Sequence, residues 1–478
     1  MVPTPDGHTL AVRRGDPRRR TLTLTTLDVS ALRNRFAGQV IAPGDTDYDS
    51  ARGLFYGGTD TRPAVIVRPT DPTEVAGVIA LARETGLELA VRCGGHNPVG
   101  LSSVDDGIVL DLRHLRAIAI DVDERTVWAQ TGLTAGDVTK AVAEHGLAVG
   151  FGDTGTVGIG GITTGGGVGF LSRRHGLTID NVLAAEVVTA DGQILQVDAG
   201  SHPDLFWAVR GGGGNFGVVT RFKYRLHELP GVVGGMLMLP ATPDVVHGFI
   251  TEAAAAPDEL SVIVNVMPAP PMPFVPADLH GTMVVFGLVC YSGPADEAEK
   301  VLAPIRALAE PIADMVRPIA YHEMFMGDAD GDYHPTATAR TLFADRLDHA
   351  LITQVLERLE TAPAPMRVTQ FRPLGGAISR VADDATAYSH RGRPFMVNVA
   401  SFLDGPGTRA EREQWVRDTS ALIANGEPGA YVNFLAEDGT ERAREAYPGG
   451  TWERLTQIKR QYDPGNLFRR NVNIPPAG

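Results

Sequence analysis

His96 stands in the run Val91-Arg92-Cys93-Gly94-Gly95-His96-Asn97-Pro98, behind an apolar stretch and ahead of Val99-Gly100-Leu101-Ser102. Two consecutive glycines let the backbone take positive φ or approach a ligand closely, which a residue with a Cβ does only at a cost. An imidazole presented by such a turn projects into a ligand-sized space. With an ordinary pKa near about 6.5, its neutral form is a competent nucleophile at pH 7. A lone loop histidine is the competing reading, and the rest of the chain weighs against it. Residues 150–169 (GFGDTGTVGIGGITTGGGVG) contain ten glycines in twenty positions, and a second cluster, Gly211-Gly212-Gly213-Gly214-Asn215-Phe216-Gly217, follows. Such density is costly in a regular element. It is tolerable where backbone N–H groups line a phosphate or a planar ring at close range.

The spacing G-x-G-x-x-G occurs at Gly150/Gly152/Gly155 and at Gly212/Gly214/Gly217. A dinucleotide-binding Rossmann turn needs a helix N-terminus directly after it to hold the pyrophosphate. Gly217 runs into the β-branched Val218-Val219-Thr220 and Gly155 into more glycine, so the motif fails in context. The chain contains no G-x-x-x-x-G-K-[ST] phosphate loop and no Cys/His grouping with metal-ligand spacing, so no metal is implied.

The elements that must position these segments read as short strands and helices in alternation from about residue 60 to 228. Ala64–Val67 is a strand. Asp71 caps a helix whose first turn holds Pro72 and Glu74, and which stops near Gly86. Strands are expected at 87–91, 108–112, 126–130 and 218–224, and a capped helix over 134–144. Val187–Val197 reads as a hairpin, with Asp191-Gly192 supplying a two-residue type I′ turn. Beyond Pro230-Gly231 come longer apolar strands (283–288, 395–402) alternating with helical stretches (295–308, 347–359). The expected organisation is a candidate disordered N-terminus (1–20), a first domain over 21–231, a second over 232–420, and a C-terminal segment 421–478.

With 478 residues, 43% apolar and 21% charged, the chain is an ordinary globular composition of about two domains. A net charge of −14 argues against nucleic acid or an anionic membrane as partner. Two cysteines cannot form a disulfide framework, and no apolar h-region or long apolar run is present, so a cytoplasmic setting is expected. High Arg, Ala and Gly content points to a bacterial source and to secondary metabolism or catabolism.

Taken in order, five segments resemble one family. They are Arg92–His96; Thr156-Val157-Gly158-Ile159-Gly160-Gly161 with Gly165–Gly169; His175–Asn181; Asp204–Thr220; and Tyr462–Pro476. The chain resembles the FAD-linked oxidases of the vanillyl-alcohol oxidase (p-cresol methylhydroxylase-type) superfamily, in the berberine bridge enzyme-like branch. The resemblance implies an α+β fold: a two-lobed FAD-binding domain and a substrate domain whose antiparallel sheet roofs the flavin, with the tail returning to the first domain. It implies FAD bound through Arg92, Cys93, Gly94, Gly95, His96 and Asn97, through Thr154, Gly155, Thr156, Val157, Gly158, Gly160, Gly161, Gly165 and Gly169, through Asn215, Gly217 and Val218, and through Asn471 and Asn473. It implies a bond from a ring nitrogen of His96 to the flavin 8α-methyl carbon. Relatives often add a cysteine thioether in a Cys-Pro-Thr-Val-Gly segment. Here Thr154 stands in place of that cysteine, and a hydroxyl is not a comparable nucleophile. One covalent link is therefore expected, with Cys93 a small packing residue.

The implied reaction is hydride transfer from a small alcohol, phenol or amine to flavin N5, then reoxidation by O2 to H2O2. Tyr447, in Ala446-Tyr447-Pro448-Gly449-Gly450, matches a family position near the flavin and is the expected base. Arg372 is the cation expected to lower its pKa. Tyr333, His334, Gln370 and Asn398 are further candidate substrate contacts. The expected partners are a small-molecule substrate and O2, with no nucleic acid and no membrane. The sequence leaves open the substrate, the base, the oligomeric state, and the alternatives of a flavin dehydrogenase with another acceptor or a non-catalytic flavoprotein.

Overall fold

The computed structural model describes residues 27–325, 334–405, 407–435 and 440–478. The N-terminal segment 1–20 and Tyr333 lie outside them.

Two sheets are built from residues 39–225. In the first, strands Gln39–Ile41, Val65–Arg68, Ile108–Asp111 and Leu89–Arg92 lie side by side in that order. The last three run parallel, and Val65, Ile66, Val67, Ile108, Val109 and Leu110 are fully buried, as expected of strands covered on both faces. Helix Pro72–Thr85 makes the crossover between them. The Asp71 carboxylate accepts from the N–H groups of Thr73 and Glu74, and Gly86 ends the helix at φ 70°. The second sheet is antiparallel, in the order Ile118–Asp121, Thr126–Gln130, Val218–Arg225, Val182–Val188, Ile194–Asp198.

The hairpin joining the last two strands forms, but not with a two-residue turn. A type I′ turn needs positive φ at both central residues. Gly192 takes φ 89°, whereas Asp191 is not among the positive-φ residues. The pairing closes at Val188↔Ile194, and Gly192 N–H donates to Thr189 O at 2.9 Å. The Asp191 carboxylate accepts from the Gln193 N–H, holding the chain in this wider loop.

The third sheet has eight strands, all drawn from residues 232–402. Its centre runs Met283–Tyr291, Leu260–Pro268, Arg367–Pro373, Phe395–Phe402, all antiparallel. Phe371, Val397 and Val399 face helices Pro243–Ala255, His349–Glu360 and Arg409–Ile423, in a core with Phe249, Ile352, Val355 and Trp415. Side chains alternate along a strand, so Gln370, Arg372 and Asn398 point away from these helices. Register places Asn265, Gln370 and Asn398 directly opposite one another across three strands. Beyond residue 430 the chain leaves this sheet. Helix Gly450–Tyr462 packs on helix Pro203–Ala208, and Phe468 and Ile474 bury themselves in the cores of the first two sheets.

Candidate active site

A cavity of about 470 Å³ opens where the three sheets meet. That size lies in the range of about 300–1,000 Å³ usual for ligand sites. Its wall is drawn from the Phe55-Tyr56 segment, the turn after strand Leu89–Arg92, the glycine-rich segments, the outward face of the eight-stranded sheet, the 431–434 segment and the C-terminal tail.

The turn is fixed from below. Asp111 accepts from Arg68 Nε at 3.0 Å and from Arg92 Nη2 at 2.9 Å, and the Arg113 guanidinium pairs with it by charge at 2.7 Å. Burial opposes the charge on Asp111, but Arg92 and Arg113 outweigh it and hold the carboxyl below its usual range. Arg92 also donates to Ala51 O at 2.5 Å. Above it, a Cβ on Gly94 would lie 2.3 Å from Gly158 N, so the turn and the glycine-rich segment meet backbone to backbone. Asn97 Oδ1 accepts from Val99 and Leu101 N–H at 3.1 and 3.0 Å, which closes the loop after His96. The His96 ring stacks on Phe55, with centroids 4.0 Å apart and 19° between planes. The Cys93 thiol is packed against Gly160, and burial pushes its pKa up to about 12, so it is inert at neutral pH.

On the sheet face, Arg372 is clamped. Its Nη2 donates to the Asp153 carboxylate, its Nε donates to Gln370 Oε1 at 2.7 Å, and its guanidinium lies 5.2 Å from the centre of the Phe434 ring. Gln370 passes the chain on to Asn265 Oδ1 at 2.8 Å. Thr154 donates its hydroxyl to the other Asp153 oxygen at 3.1 Å. Tyr431 also lines the cavity. Its phenolic oxygen accepts from the N–H groups of Gly167 and Val168 and from Asn433 Nδ2, at 3.0, 3.2 and 2.9 Å.

Of the residues singled out in the sequence, the cavity wall brings together Cys93, Gly94, Gly95, His96, Asn97, Thr154, Val157, Gly158, Gly160, Gly161, Asn215, Gly217, Val218, Gln370, Arg372, Asn398 and Asn471. Others are elsewhere. Arg92 lies beneath the turn, bound to Asp111. Gly155 packs against Phe325 and Gly136, while a Cβ at Gly165 would strike Asn433 and one at Gly169 would strike Gly152. These three are spacers between segments rather than wall. Thr156 and Asn473 lie outside the wall, each with a buried oxygen lacking a hydrogen-bond partner. His334 is exposed at the surface, with Nδ1 3.1 Å from Phe55 O.

Tyr447 is not part of the wall. It is 1% exposed, sits among Trp452, Leu455 and Phe216, and donates its hydroxyl to Gly211 O at 3.0 Å. Burial raises its pKa, and Arg372 is not among the groups acting on it. A phenol so held makes a core hydrogen bond and stands outside the cavity wall. The sequence reading missed Phe55, Tyr56, Asp153, Tyr431 and Phe434, all in the wall. The aromatic pair before Gly57-Gly58 and the lone acid inside the glycine-rich run were the signals available.

Oxygens of Ser102, Asn398 and Asn471 are buried without a partner, and Ser102, Asn398 and Asn471 all line the cavity. Gly161 faces open space there. Orphaned polar atoms along a glycine-lined wall, with Arg470, held to Ser103 O, in the same wall, fit a long polar ligand carrying phosphates.

Residues 63–198 match the model of an FAD binding domain, and residues 430–475 match the berberine and berberine-like model. (R)-6-hydroxynicotine oxidase of Paenarthrobacter nicotinovorans is 32% identical over 454 residues, covering 92% of this chain and 97% of that one. The chain belongs to the FAD-linked oxidases of the berberine bridge enzyme-like branch. It is an FAD-dependent oxidoreductase of the p-cresol methylhydroxylase-type fold. Berberine bridge enzyme-like C-2 of Nicotiana tabacum is 29% identical, covering 87% of this chain and 85% of that one. The solved structure of 6-hydroxy-D-nicotine oxidase from Arthrobacter nicotinovorans superposes with a TM-score of 0.83 at 28% identity, over 92% of this chain and 98% of that one. A chitooligosaccharide oxidase shares the fold, with a TM-score of 0.81 at 21% identity over 94% of this chain and all of that one. Among the described residues no helix is long and apolar enough to cross a membrane, and no cluster of acidic, His or Cys side chains is arranged to hold a metal ion.

Proposed function

We propose that this FAD-linked oxidoreductase is an oxidase that carries FAD on one covalent bond from His96, oxidises a small organic alcohol, phenol or amine, and returns the electrons to O2 as H2O2. The observation that carries the reading is that the His96 ring shares one cavity wall with the clamped Arg372, Gln370 and Asn398. We take 21–231 with the returning tail 421–478 as the FAD-binding part, and 232–420 as the substrate domain.

Bound FAD supplies the hydride acceptor and the route to O2. Gly158, Gly160, Gly161, Gly213, Gly214 and Gly217 let it approach the backbone closely, Asn471 and Ser102 offer it hydrogen bonds, and Arg470 offers a cation. Thr154 spends its hydroxyl on Asp153, in keeping with a single tether. On the substrate side, Arg372 is pre-oriented by Asp153 and Gln370, and Phe55, Tyr56, Tyr431 and Phe434 make the surround aromatic. Tyr56 carries a hydroxyl whose pKa is raised by burial and by Asp153, so it stays protonated and donates. Asp153 is the one carboxylate in the wall among the described residues, and it is already committed to its ion pair with Arg372. A substrate that needs little base assistance suits such a site. A neutral amine is one, and the likeness to a hydroxynicotine oxidase in both sequence and structure supports that class.

The test is reoxidation. The purified protein is reduced anaerobically with dithionite and mixed with aerated buffer. An oxidase recovers its oxidised flavin spectrum within seconds and releases one H2O2 per flavin. Recovery only on addition of a quinone or dye acceptor overturns the oxidase reading and leaves a dehydrogenase.

A further inference from the structure

His96 is not held by its own loop alone. Phe55 lies flat on its ring at 4.0 Å, and Phe55 is itself pinned from both sides. Its N–H donates to Gly95 O at 3.3 Å, next to the histidine. Its carbonyl oxygen is 3.1 Å from His334 Nδ1, and two residues on, Gly57 N–H donates to Pro335 O at 3.0 Å. His334 and Pro335 lead into strand Ala337–Ala344 of the eight-stranded sheet. A path of contacts therefore runs from that sheet, through the 53–58 segment, to the imidazole.

We propose that Phe55 is the positioning residue for covalent attachment of FAD, and that the 334–336 segment seats Phe55 in place, so that the tether forms only once the eight-stranded sheet is docked. This rests on the reading that His96 carries FAD. The lone pair of an imidazole nitrogen lies in the ring plane, so its aim is set by rotation about Cβ–Cγ. That terminal torsion is broad when nothing restrains it. A phenyl face at stacking distance narrows that rotation and so helps to set the aim of the nucleophile. Misplacement of a reacting group by about 1 Å can slow a bond-forming step by about 100-fold.

In the step being positioned, the imidazole nitrogen bonds to the flavin 8α carbon. One 8α C–H bond and the imidazole N–H bond break. Both hydrogens, with two electrons, remain on the flavin ring system as its reduced form. O2 then removes them as H2O2 and restores the oxidised, now tethered, cofactor.

The experiment compares wild type with Phe55→Ala, Phe55→Tyr and Gly57→Ala, each purified as holoprotein with excess FAD. Total bound flavin is read from the native spectrum, and the tethered share from the colour retained by the acid-precipitated, washed pellet. A Cβ at Gly57 would lie 2.7 Å from His334 O, so Gly57→Ala pushes the segment off its seat without touching Phe55 or His96. Phe55→Ala and Gly57→Ala are expected to bind FAD near wild-type stoichiometry with the tethered share lowered at least tenfold at matched times. Phe55→Tyr, which keeps the ring, is expected to tether normally. A wild-type tethered share in Phe55→Ala overturns the proposal. So does loss of all flavin from Phe55→Ala, which would make Phe55 a cofactor-holding residue instead. A wild type with no acid-stable flavin removes the tether itself, and is thereby distinguishable from failure of the positioning role alone.

Discussion

Lys459 Nζ donates to the carbonyl of Asn215 at 2.7 Å, tying the last long helix to the second glycine-rich loop. The same ammonium donates to Asp463 at 2.7 Å and to Phe468 O at 3.0 Å, and both members of the ion pair are almost wholly buried. Asn215 in turn donates to Val472 O at 3.1 Å and accepts from Ile474 N–H at 2.9 Å. Asn471 and Val472 reach the cavity wall because this hub bends the tail back.

Removing one partner from a buried ion pair leaves an uncompensated charge, at a cost of about 3–5 kcal/mol. Lys459→Met is expected to lower stability by that order. Thermal or urea unfolding of the holoprotein checks it. The double variant Lys459→Met/Asp463→Asn is expected to be less impaired than Lys459→Met alone. Equal or greater loss would show that the hub does not act as a charge pair.

Tyr447→Phe deletes one hydrogen bond, to Gly211 O. The expected cost is about 1 kcal/mol, with flavin content and turnover unchanged. Turnover slowed by about 100-fold or more, which is what loss of a general base costs, would return Tyr447 to the chemistry.

The two glycine-rich segments and the histidine turn were legible because glycine density and a Gly-Gly-His turn are local signals. The family followed from several such segments taken together. What the sequence could not carry was contact between distant segments. Strand alternation left the direction of Gln370 and Asn398 open, and only the side taken by Phe371 and Val397 decides it. Asp153 was hidden by glycines around it, and its partner Arg372 lies 219 residues away. Tyr447 was assigned by position in a motif. The structure places it one layer too deep, where its hydroxyl meets a backbone carbonyl before it meets the cavity. The hairpin turn failed for a local reason, since the Asp191 carboxylate stabilised a negative-φ alternative.

Arg372→Met removes the cation from the cavity and leaves Asp153 without its charged partner. Loss of charge-assisted hydrogen bonds costs about 1.5–3 kcal/mol, or roughly 10- to 150-fold. The expected effect is a drop of that size in kcat/KM with flavin content intact. An unchanged kcat/KM on every accepted substrate would remove Arg372 from the substrate site.

His175 and His227 stack at 3.9 Å in a partly buried pocket. Burial, His227 and Arg174 lower the first to about 3, and burial, Arg225 and Arg174 lower the second to about 4. Both folded values lie below the unfolded value of about 6.5, so the unfolded chain binds more protons between them. Stability is then full above about pH 6.5 and is lost as the pH falls towards 4. The melting temperature is expected to fall over that window, and His175→Phe to flatten the fall. A melting temperature as steep in His175→Phe as in wild type would assign the acid sensitivity to other groups.

The central claim is tested most directly by the absorbance of the acid-precipitated, washed protein. Wild type is expected to give a yellow pellet and a colourless supernatant, and His96→Ala a colourless pellet with all of its flavin in the supernatant. A colourless wild-type pellet, or a yellow pellet from His96→Ala, would contradict the assignment of His96 as the tether.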